Sequence, residues 1–239
     1  MVKNLFSLNI QDMEKANVQF GHRVSKLHPK MKQYVSGIKN SVHTIDLEKT
    51  VEEFDEALKF IEALISEGKN MLLVGTKVPI KALIKENAEI CGLPYVNERW
   101  LGGAFTNFET ILKRVTHFKD LLKQKEVGGL EKYTKKEKMK IEKEIESLRI
   151  KFEGVKDMQK LPEAVLVLDM NKDGLAAREA KRKGIKIIAV CDTNIDPSLA
   201  DYPIPANDDS ISSAKYILEK IKEVVLKAKE EVENKRVKE

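Results

Sequence analysis

The sequence predicts an α/β protein built on a doubly wound parallel sheet. Three short apolar runs bounded by turn residues are typical of buried parallel strands: MLLVG at 71–75, AVLVLD at 164–169 and KIIAVCD at 186–192. A helical pattern follows each run, and glycine stands just after the first two helices, at Gly92 and Gly184, where helices commonly end. Because such alternation joins strands by right-handed crossovers, we expect a parallel sheet that is covered on both faces.

The remaining elements of the sheet domain follow from the same patterns. Shorter strands are expected at 43–47 (HTIDL) and 94–97 (PYVN), and a loop with a short YPIP element precedes the last helix. Helices are expected at about 48–66, 76–90, 173–183 and 208–227. Ligands of doubly wound sheets favour the carboxyl ends of the strands, where Gly75-Thr76-Lys77, Asp169 and Asp192 are expected to lie.

A long insertion separates the strand at 94–97 from the strand at 164–169. A crossover with its helix needs only about a dozen residues upward, so this gap must hold something more. Two stretches within it carry apolar residues at spacings of three and four: Phe108, Ile111, Val115, Phe118 and Leu122, then Ile141, Ile145, Leu148 and Phe152. This pattern predicts an antiparallel coiled-coil hairpin whose apolar seam closes on itself.

These elements divide the chain into four parts. Residues 1–45 form a basic N-terminal arm and the entry to the sheet domain, and residues 46–104 and 153–230 form the α/β sheet domain. Residues 105–152 form the hairpin insertion, and residues 231–239 a charged tail. The hairpin is expected to be separable from the sheet domain, because its two ends must already lie close together.

Charge is concentrated in two of these parts. Charged residues make up 34% of the chain, above the usual quarter, and the net charge is +5. Residues 1–45 hold 7 Lys/Arg against 2 Asp/Glu, and residues 113–151 hold 13 against 7. This distribution is typical of an electrostatic footprint for an acidic partner, although two solvated lysine-rich faces would have the same composition.

The sequence argues against catalysis, a bound metal and a cofactor. The strand–turn at Gly75-Thr76-Lys77 lacks the spacing of known phosphate-binding loops, and Pro79 removes one early N–H donor. Asp169 and Asp192 could hold a metal, yet no histidine stands near either in sequence, and Cys91 and Cys191 are far apart. A doubly wound enzyme that binds a phosphorylated small molecule at the strand ends therefore remains the alternative, and a coiled-coil adaptor the third hypothesis. Without a signal-peptide pattern or an apolar run near 18 residues, we expect a soluble intracellular protein.

Candidate nucleic-acid contacts lie in two places. The segment FGHRVSKLHPKMKQYVSGIKN at 20–40 interleaves aromatic residues and histidines with cations, a composition that suits phosphate contacts and stacking on unpaired bases. In NERWLGGAFTNF at 97–108, a glycine pair permits a tight turn out of the sheet. Arg99 and Trp100 are then expected to stand exposed at a strand end; the alternative is a tryptophan packed beneath the hairpin base.

Several blocks make the chain resemble one family closely, the bacterial-type second protein of the small ribosomal subunit. They occur in family order at 20–50, 72–77, 96–111 (VNERWLGGAFTNFETI), 133–137, 154–169 (GVKDMQKLPEAVLVLD), 190–197 (VCDTNIDP) and 204–209 (IPANDD). The sequence departs from the family pattern at Leu27-His28, commonly Trp-Asn, and at Lys39, commonly arginine. Lysine is a point charge and lacks the guanidinium fork.

The resemblance implies a non-catalytic protein with a flavodoxin-like sheet and an inserted coiled coil. It implies a cytoplasmic location in the small ribosomal subunit, where the protein binds 16S-type ribosomal RNA and neighbouring proteins, including the large single-strand-binding first protein of that subunit. No membrane contact is implied. The residues expected to contact RNA are Arg23, Lys26, His28, Lys30, Lys32, Lys39, Arg99 and Trp100.

Overall fold

The computed structural model describes residues 6–130 and 132–236, and its centre is a five-stranded parallel sheet. The strands are β4 (Met71–Val74), β5 (Tyr95–Val96), β6 (Ala164–Val167), β7 (Lys186–Cys191) and β8 (Tyr202–Pro205). Their spatial order is β5-β4-β6-β7-β8, and every pair is parallel. Numbered within this sheet, the order is 2-1-3-4-5, which is that of flavodoxin-like folds. The α/β class and the parallel sheet of the prediction are confirmed.

Helices cover the sheet as the sequence predicts, with changed boundaries. The seven helices of the described residues are α1 (Ile10–Lys15), α2 (Leu47–Ser66), α3 (Lys81–Cys91), α4 (Phe108–Glu126), α5 (Lys135–Phe152), α6 (Gly174–Lys183) and α7 (Ile211–Arg236). A 3-10 turn at Val78–Ile80 precedes α3, because Pro79 suits a first turn and donates no N–H. Gly92 and Gly184 end α3 and α6 with φ of +57° and +70°. None of the helices described combines the length and apolar character that a membrane span needs.

Side chains of the strands alternate between two buried layers. Leu73, Leu166 and Ile188 pack on one face with α1, α2, α3 and α7. Leu72, Val167 and Ala189 pack on the other face with α6 and the base of the insertion. Because both faces are covered, all four residues of β4 and of β6 are buried.

The N-terminal segment, predicted as a basic arm, contains strands of its own. β1 (Phe20–Arg23), β2 (Val35–Lys39) and β3 (Val42–Ile45) form a separate antiparallel sheet in the order β1-β3-β2. The strand predicted at 43–47 is therefore present as β3, but it lies outside the parallel sheet. Asn40 and Ser41 have φ of +51° and +63°, as a tight hairpin turn requires.

Two helices occupy the predicted insertion. α4 and α5 run in opposite directions, since a hydrogen bond joins His117 to Glu144 (3.0 Å) and an ion pair joins Lys125 to Glu142 (3.9 Å). A capping box at Thr134 and Glu137 starts α5. That these helices wind as a coiled coil stays a prediction.

The expectation that the apolar seam closes only on itself is wrong at the base of the insertion. Phe105 and Phe152 are 0% and 1% exposed and belong to the same cluster as strand residues Val165 and Val167. The charged tail expected at 231–239 is helical through Arg236, and residues 237–239 lie outside the described residues, as do residues 1–5 of the predicted arm.

Candidate nucleic-acid interface

The crevice where a doubly wound sheet would bind a small ligand is filled by the chain's own side chains. The strand order reverses between β4 and β6, and ligands favour the carboxyl ends of the strands at such a point. There Thr76 donates its backbone N–H and its hydroxyl to Asp173, at 2.9 and 2.8 Å. The Lys77 ammonium lies 3.1 Å from Asp169 and 3.3 Å from Asp208. The Thr76 N–H and the Lys77 ammonium, which could otherwise hold a phosphate, are therefore already used.

A cluster of acids with one histidine continues along this edge. His22 Nδ1 lies 3.1 Å from Asp192 Oδ2, and His22 Nε2 lies 3.6 Å from Asp209 Oδ2. The contact with Asp192 raises the pKa of His22 against the opposing effect of burial. Burial, with Asp192 and Asp169 nearby, raises the pKa of Asp208 to about 7, although Lys77 opposes the shift.

A histidine does join one of the strand-end aspartates, Asp192, although none stands near it in sequence. His22 stands 170 residues before Asp192 in sequence, but β1 carries it to the carboxyl edge of the parallel sheet. Ligand atoms of His22, Asp208 and Asp209 lie within 4.8 Å of one another, a donor set that could hold a divalent cation. In this arrangement the Lys77 ammonium supplies positive charge to the two aspartates.

The glycine pair at 102–103 lies in a loop that holds an anion, and the anion is a carboxylate of the chain itself. Glu179 of α6 is 3% exposed, and its carboxylate accepts hydrogen bonds from five donors. The donors are Trp100 Nε1 (3.2 Å), Gly103 N (2.8 Å), Phe105 N (3.0 Å), Thr106 N (3.1 Å) and Thr106 Oγ1 (3.1 Å). Gly103 has a φ of +90°, which favours glycine at this turn. The loop therefore joins α6 to the insertion and offers no phosphate site.

The expectation that the Trp100 ring is exposed is wrong. The side chain is 7% exposed and packs edge to face on Phe105, with ring centroids 4.8 Å apart. The physical reason is that its indole N–H has a buried acceptor in Glu179, so the whole ring can leave water. The alternative, a tryptophan beneath the hairpin base, is what the structure shows. The preceding residue, Arg99, is exposed.

The N-terminal segment is anchored across the strand ends by the turns after β7 and β8. His22 donates its backbone N–H to Thr193 Oγ1, and His28 donates its own to the Thr193 carbonyl, both at 2.8 Å. Asn207 holds the stretch before β1, since its N–H donates to the Val18 carbonyl at 3.0 Å. The sequence blocks at 190–197 and 204–209 thus hold the basic segment in place, a role that their turn-forming residues do not reveal.

Gly21 lies so close to the Thr193 side chain that a larger residue at position 21 should be destabilising. A Cβ added at Gly21 would overlap the buried Thr193 side chain, with its Oγ1 only 2.7 Å away. We expect Gly21→Ala to destabilise the docked segment by about 1–3 kcal/mol, as overpacking commonly does. Gly37→Ala is the matched control on the same small sheet, because nothing lies within 4 Å of the added atom. Thermal unfolding and limited proteolysis of both variants check this; equal melting temperatures would contradict it.

The structure separates the predicted contact residues into free and engaged groups. Lys30 is engaged, since its ammonium lies 2.8 Å from Asp196 and donates to Ser198 Oγ at 2.6 Å. This contact holds the pKa of Asp196 well below its usual range. His28 Nδ1 accepts from the Lys30 N–H at 3.3 Å. Among the predicted contact residues, the exposed cations without an ion pair in the described ranges are Arg23, Lys26, Lys32, Lys39 and Arg99.

Fold and site together define a class of protein. Side chains of the protein use the ligand crevice of the doubly wound sheet, and Glu179 occupies the glycine loop. Four of the free predicted contact cations, Arg23, Lys26, Lys32 and Lys39, lie on an anchored outer segment. This arrangement suits a binding protein rather than an enzyme.

The comparison with known families identifies the class. Residues 13–228 match the family described as ribosomal protein S2, so the chain belongs to the ribosomal protein S2 family. It is accordingly a structural, non-enzymatic ribosomal protein that takes part in translation, and its location is the small subunit of the cytoplasmic ribosome. It is also similar to the small ribosomal subunit protein uS2 of Coprothermobacter proteolyticus, with 43% identity over 223 residues, 93% of this chain and 83% of the relative.

Proposed function

We propose that the chain binds 16S-type ribosomal RNA as a structural constituent of the small subunit, and that the anchored N-terminal segment makes the main contacts. The observation that carries this proposal is that Arg23, Lys26, Lys32 and Lys39 are exposed on a segment whose backbone is fixed to the strand ends. A fixed backbone lowers the entropic cost of placing each cation against a phosphate. His28 belongs to the same segment, and Arg99 is a further proposed contact at the base of the insertion.

Lys30 and Trp100 have a different part in this proposal. Lys30 joins the N-terminal segment to Asp196 and Ser198, so it positions the neighbouring cations and its charge is already compensated. Trp100 fixes the loop that presents Arg99, because its ring is buried and its N–H is bonded to Glu179. Lys30 and Trp100 therefore affect RNA binding indirectly, through the cations that they position.

Neighbouring ribosomal proteins are the second class of partner that we propose, with the large single-strand-binding first protein of the small subunit among them. Support comes from the carboxyl edge of the sheet, where Val78, Leu175 and Ile211 are 76%, 42% and 53% exposed at or near the starts of α3, α6 and α7. Asp209 is exposed in the same region. Apolar side chains beside acidic ones suit a protein partner better than a phosphate backbone.

Neutralising the four exposed cations of the N-terminal segment should weaken RNA binding in a salt-dependent way. We expect the variant R23Q/K26Q/K32Q/K39Q to lower the slope of log K against log salt by about 3, since each lost phosphate contact contributes about 0.7–0.9. Filter binding to small-subunit ribosomal RNA over a salt series measures the slope. The matched control K59Q/K215Q/K220Q/K227Q removes four lysines that form ion pairs on the opposite face of the sheet.

An unchanged slope for the N-terminal variant would mean that the segment is only solvated. An equal fall for the control would mean that total charge, and not position, sets the affinity. In small subunits washed free of the protein, we expect the control to rebind like the unaltered chain and the N-terminal variant to remain in the supernatant.

A further inference from the structure

Helix α6 carries a strip of cations that the sequence analysis did not single out. Arg178, Lys181 and Arg182, which we name the α6 strip, are exposed, and none forms an ion pair or a side-chain hydrogen bond with any residue in the described ranges. Three lysines of α7 differ, because Lys215, Lys220 and Lys227 each lie within 4 Å of a carboxylate. The chain thus compensates charge on one helix and leaves it uncompensated on another.

The geometry of α6 places the strip on one face. Residues at i, i+3 and i+4 are neighbours on a helix surface, and Arg178, Lys181 and Arg182 have this spacing. Three alanines on the opposite side, Ala176, Ala177 and Ala180, are buried against the sheet. The one acidic residue of α6, Glu179, is bonded to the loop at 100–106 and is not available to the strip.

Helix stability does not account for these cations. Positive charge in the last turn of a helix interacts favourably with the helix dipole, which would explain Lys181 and Arg182. Arg178 stands in the middle of α6, and like charges at i and i+4, such as Arg178 and Arg182, destabilise a helix. The arrangement therefore has an electrostatic cost in the isolated protein that an anionic partner would remove.

The α6 strip also connects the two predicted contact regions. On one side, Glu179 bonds to Trp100, the residue after exposed Arg99. On the other side, Lys181 and Ser198 line one shallow cleft, and Ser198 accepts a hydrogen bond from Lys30. Cations thus extend from the base of the insertion, across α6, to the N-terminal segment.

We propose that the α6 strip is a second contact surface for ribosomal RNA and binds backbone phosphates. Two of its three members are arginines, although the chain has only 7 arginines against 36 lysines. The planar guanidinium binds phosphate oxygens through two parallel N–H donors, which lysine cannot do. The inference rests on the proposed RNA-binding function and extends it to a surface on the sheet domain itself.

The test is a pair of charge-matched variants of the full chain. R178Q/K181Q/R182Q removes the strip, and K215Q/K220Q/K227Q removes three ion-paired lysines on the opposite face. Binding to small-subunit ribosomal RNA is measured over a salt series, and thermal unfolding is measured beside it. We expect the strip variant to lower the slope of log K against log salt by about 2 to 3, while the control variant changes it little and both melt like the unaltered chain.

A tethered probe gives a second readout that does not depend on affinity. Both natural cysteines, Cys91 and Cys191, are buried, so a cysteine introduced at an exposed position is the one that reacts. Lys181→Cys carrying an iron chelate should cleave the RNA locally in the reassembled subunit, and Lys215→Cys should not.

The outcomes separate this inference from the function on which it rests. A lower slope for the strip variant together with cleavage from position 181 supports the inference. If the N-terminal variant loses binding but the strip variant does not and position 181 gives no cleavage, the α6 strip is a solvated face and only this inference fails. If the unaltered chain does not bind the RNA, both proposals fail.

Discussion

Replacing Glu179 with alanine is expected to lower the free energy of unfolding by about 3–5 kcal/mol. Five donors converge on this carboxylate, and two of them, Phe105 N and Trp100 Nε1, belong to buried residues that water cannot easily reach once the acceptor is gone. Each buried donor left without an acceptor costs roughly 1–3 kcal/mol, and hydrogen bonds to a charged group are the strong ones. A loss of this size is a large part of the 5–15 kcal/mol typical of a folded domain.

Two further variants make the measurement specific. Glu179→Gln keeps the shape of the side chain, but its amide NH₂ group would face the N–H donors of the loop and could not accept from them. We therefore expect a smaller loss of about 1–3 kcal/mol in the free energy of unfolding. Glu219→Ala removes a half-exposed carboxylate of α7 that lies 3.8 Å from the Lys215 ammonium, and should change stability by less than about 0.5 kcal/mol. Urea unfolding of the three variants is the measurement. If Glu179→Ala were no worse than Glu219→Ala, the loop at 100–106 would be held by its own turns.

The contribution of Glu179 should also depend on pH with a definite sign. Burial raises the pKa of Glu179, but the N–H donors of Thr106, Gly103 and Phe105 lower it more, so the net pKa is below its usual value. A depressed carboxyl pKa gives stability that is fully present above the unfolded value and is lost as the pH falls through the folded value. The difference in unfolding free energy between the unaltered chain and Glu179→Gln should therefore shrink as the pH falls from above the usual glutamate pKa through the lowered pKa of Glu179.

The parallel sheet was predictable because its signal is local. The apolar runs at 71–75, 164–169 and 186–192 became β4, β6 and β7, and the glycines after α3 and α6 have the left-handed conformation that makes them good helix stops. Both features depend on residues a few positions apart. Helix starts were less accurate, since Pro79 allows a 3-10 turn before α3.

The polar arrangement of the site could not be predicted in the same way, because its partners are distant in sequence. Glu179 has the appearance of one more charged residue in AAREAKRK, and only the fold brings it to the donors of the 100–106 loop. His22 meets Asp192 in the same manner. The sequence around Trp100 was ambiguous, because a single tryptophan beside a glycine turn is as consistent with a packed ring as with an exposed one. Burial of the ring requires an acceptor for the indole N–H, and the sequence does not locate that acceptor.

The base of the insertion, and not its outer length, should be essential to the fold. Removing residues 105–152 deletes Phe105 and Phe152, which are 0% and 1% exposed in the layer that covers one face of the sheet. Loss of a buried phenylalanine side chain costs about 3–5 kcal/mol, and two such losses approach the whole stability of a domain. We therefore expect this chain to lack a cooperative transition in thermal unfolding followed by circular dichroism.

A shorter deletion should have the opposite result. Removing residues 119–141 and joining Phe118 to Glu142 through a short glycine–serine linker keeps Val115, Phe118 and Ile145, which are buried in the same layer. We expect cooperative unfolding within a few degrees of the unaltered chain.

This deletion also removes eight lysines and four acidic residues, so co-sedimentation with small subunits should weaken and should lose part of its salt dependence. A full-length chain with those eight lysines changed to glutamine distinguishes the effect of the lost charge from the effect of the shortened helices. Should the chain without 105–152 fold cooperatively, or the chain without 119–141 fail to fold, the division of the insertion into a structural base and an outer binding segment would be wrong.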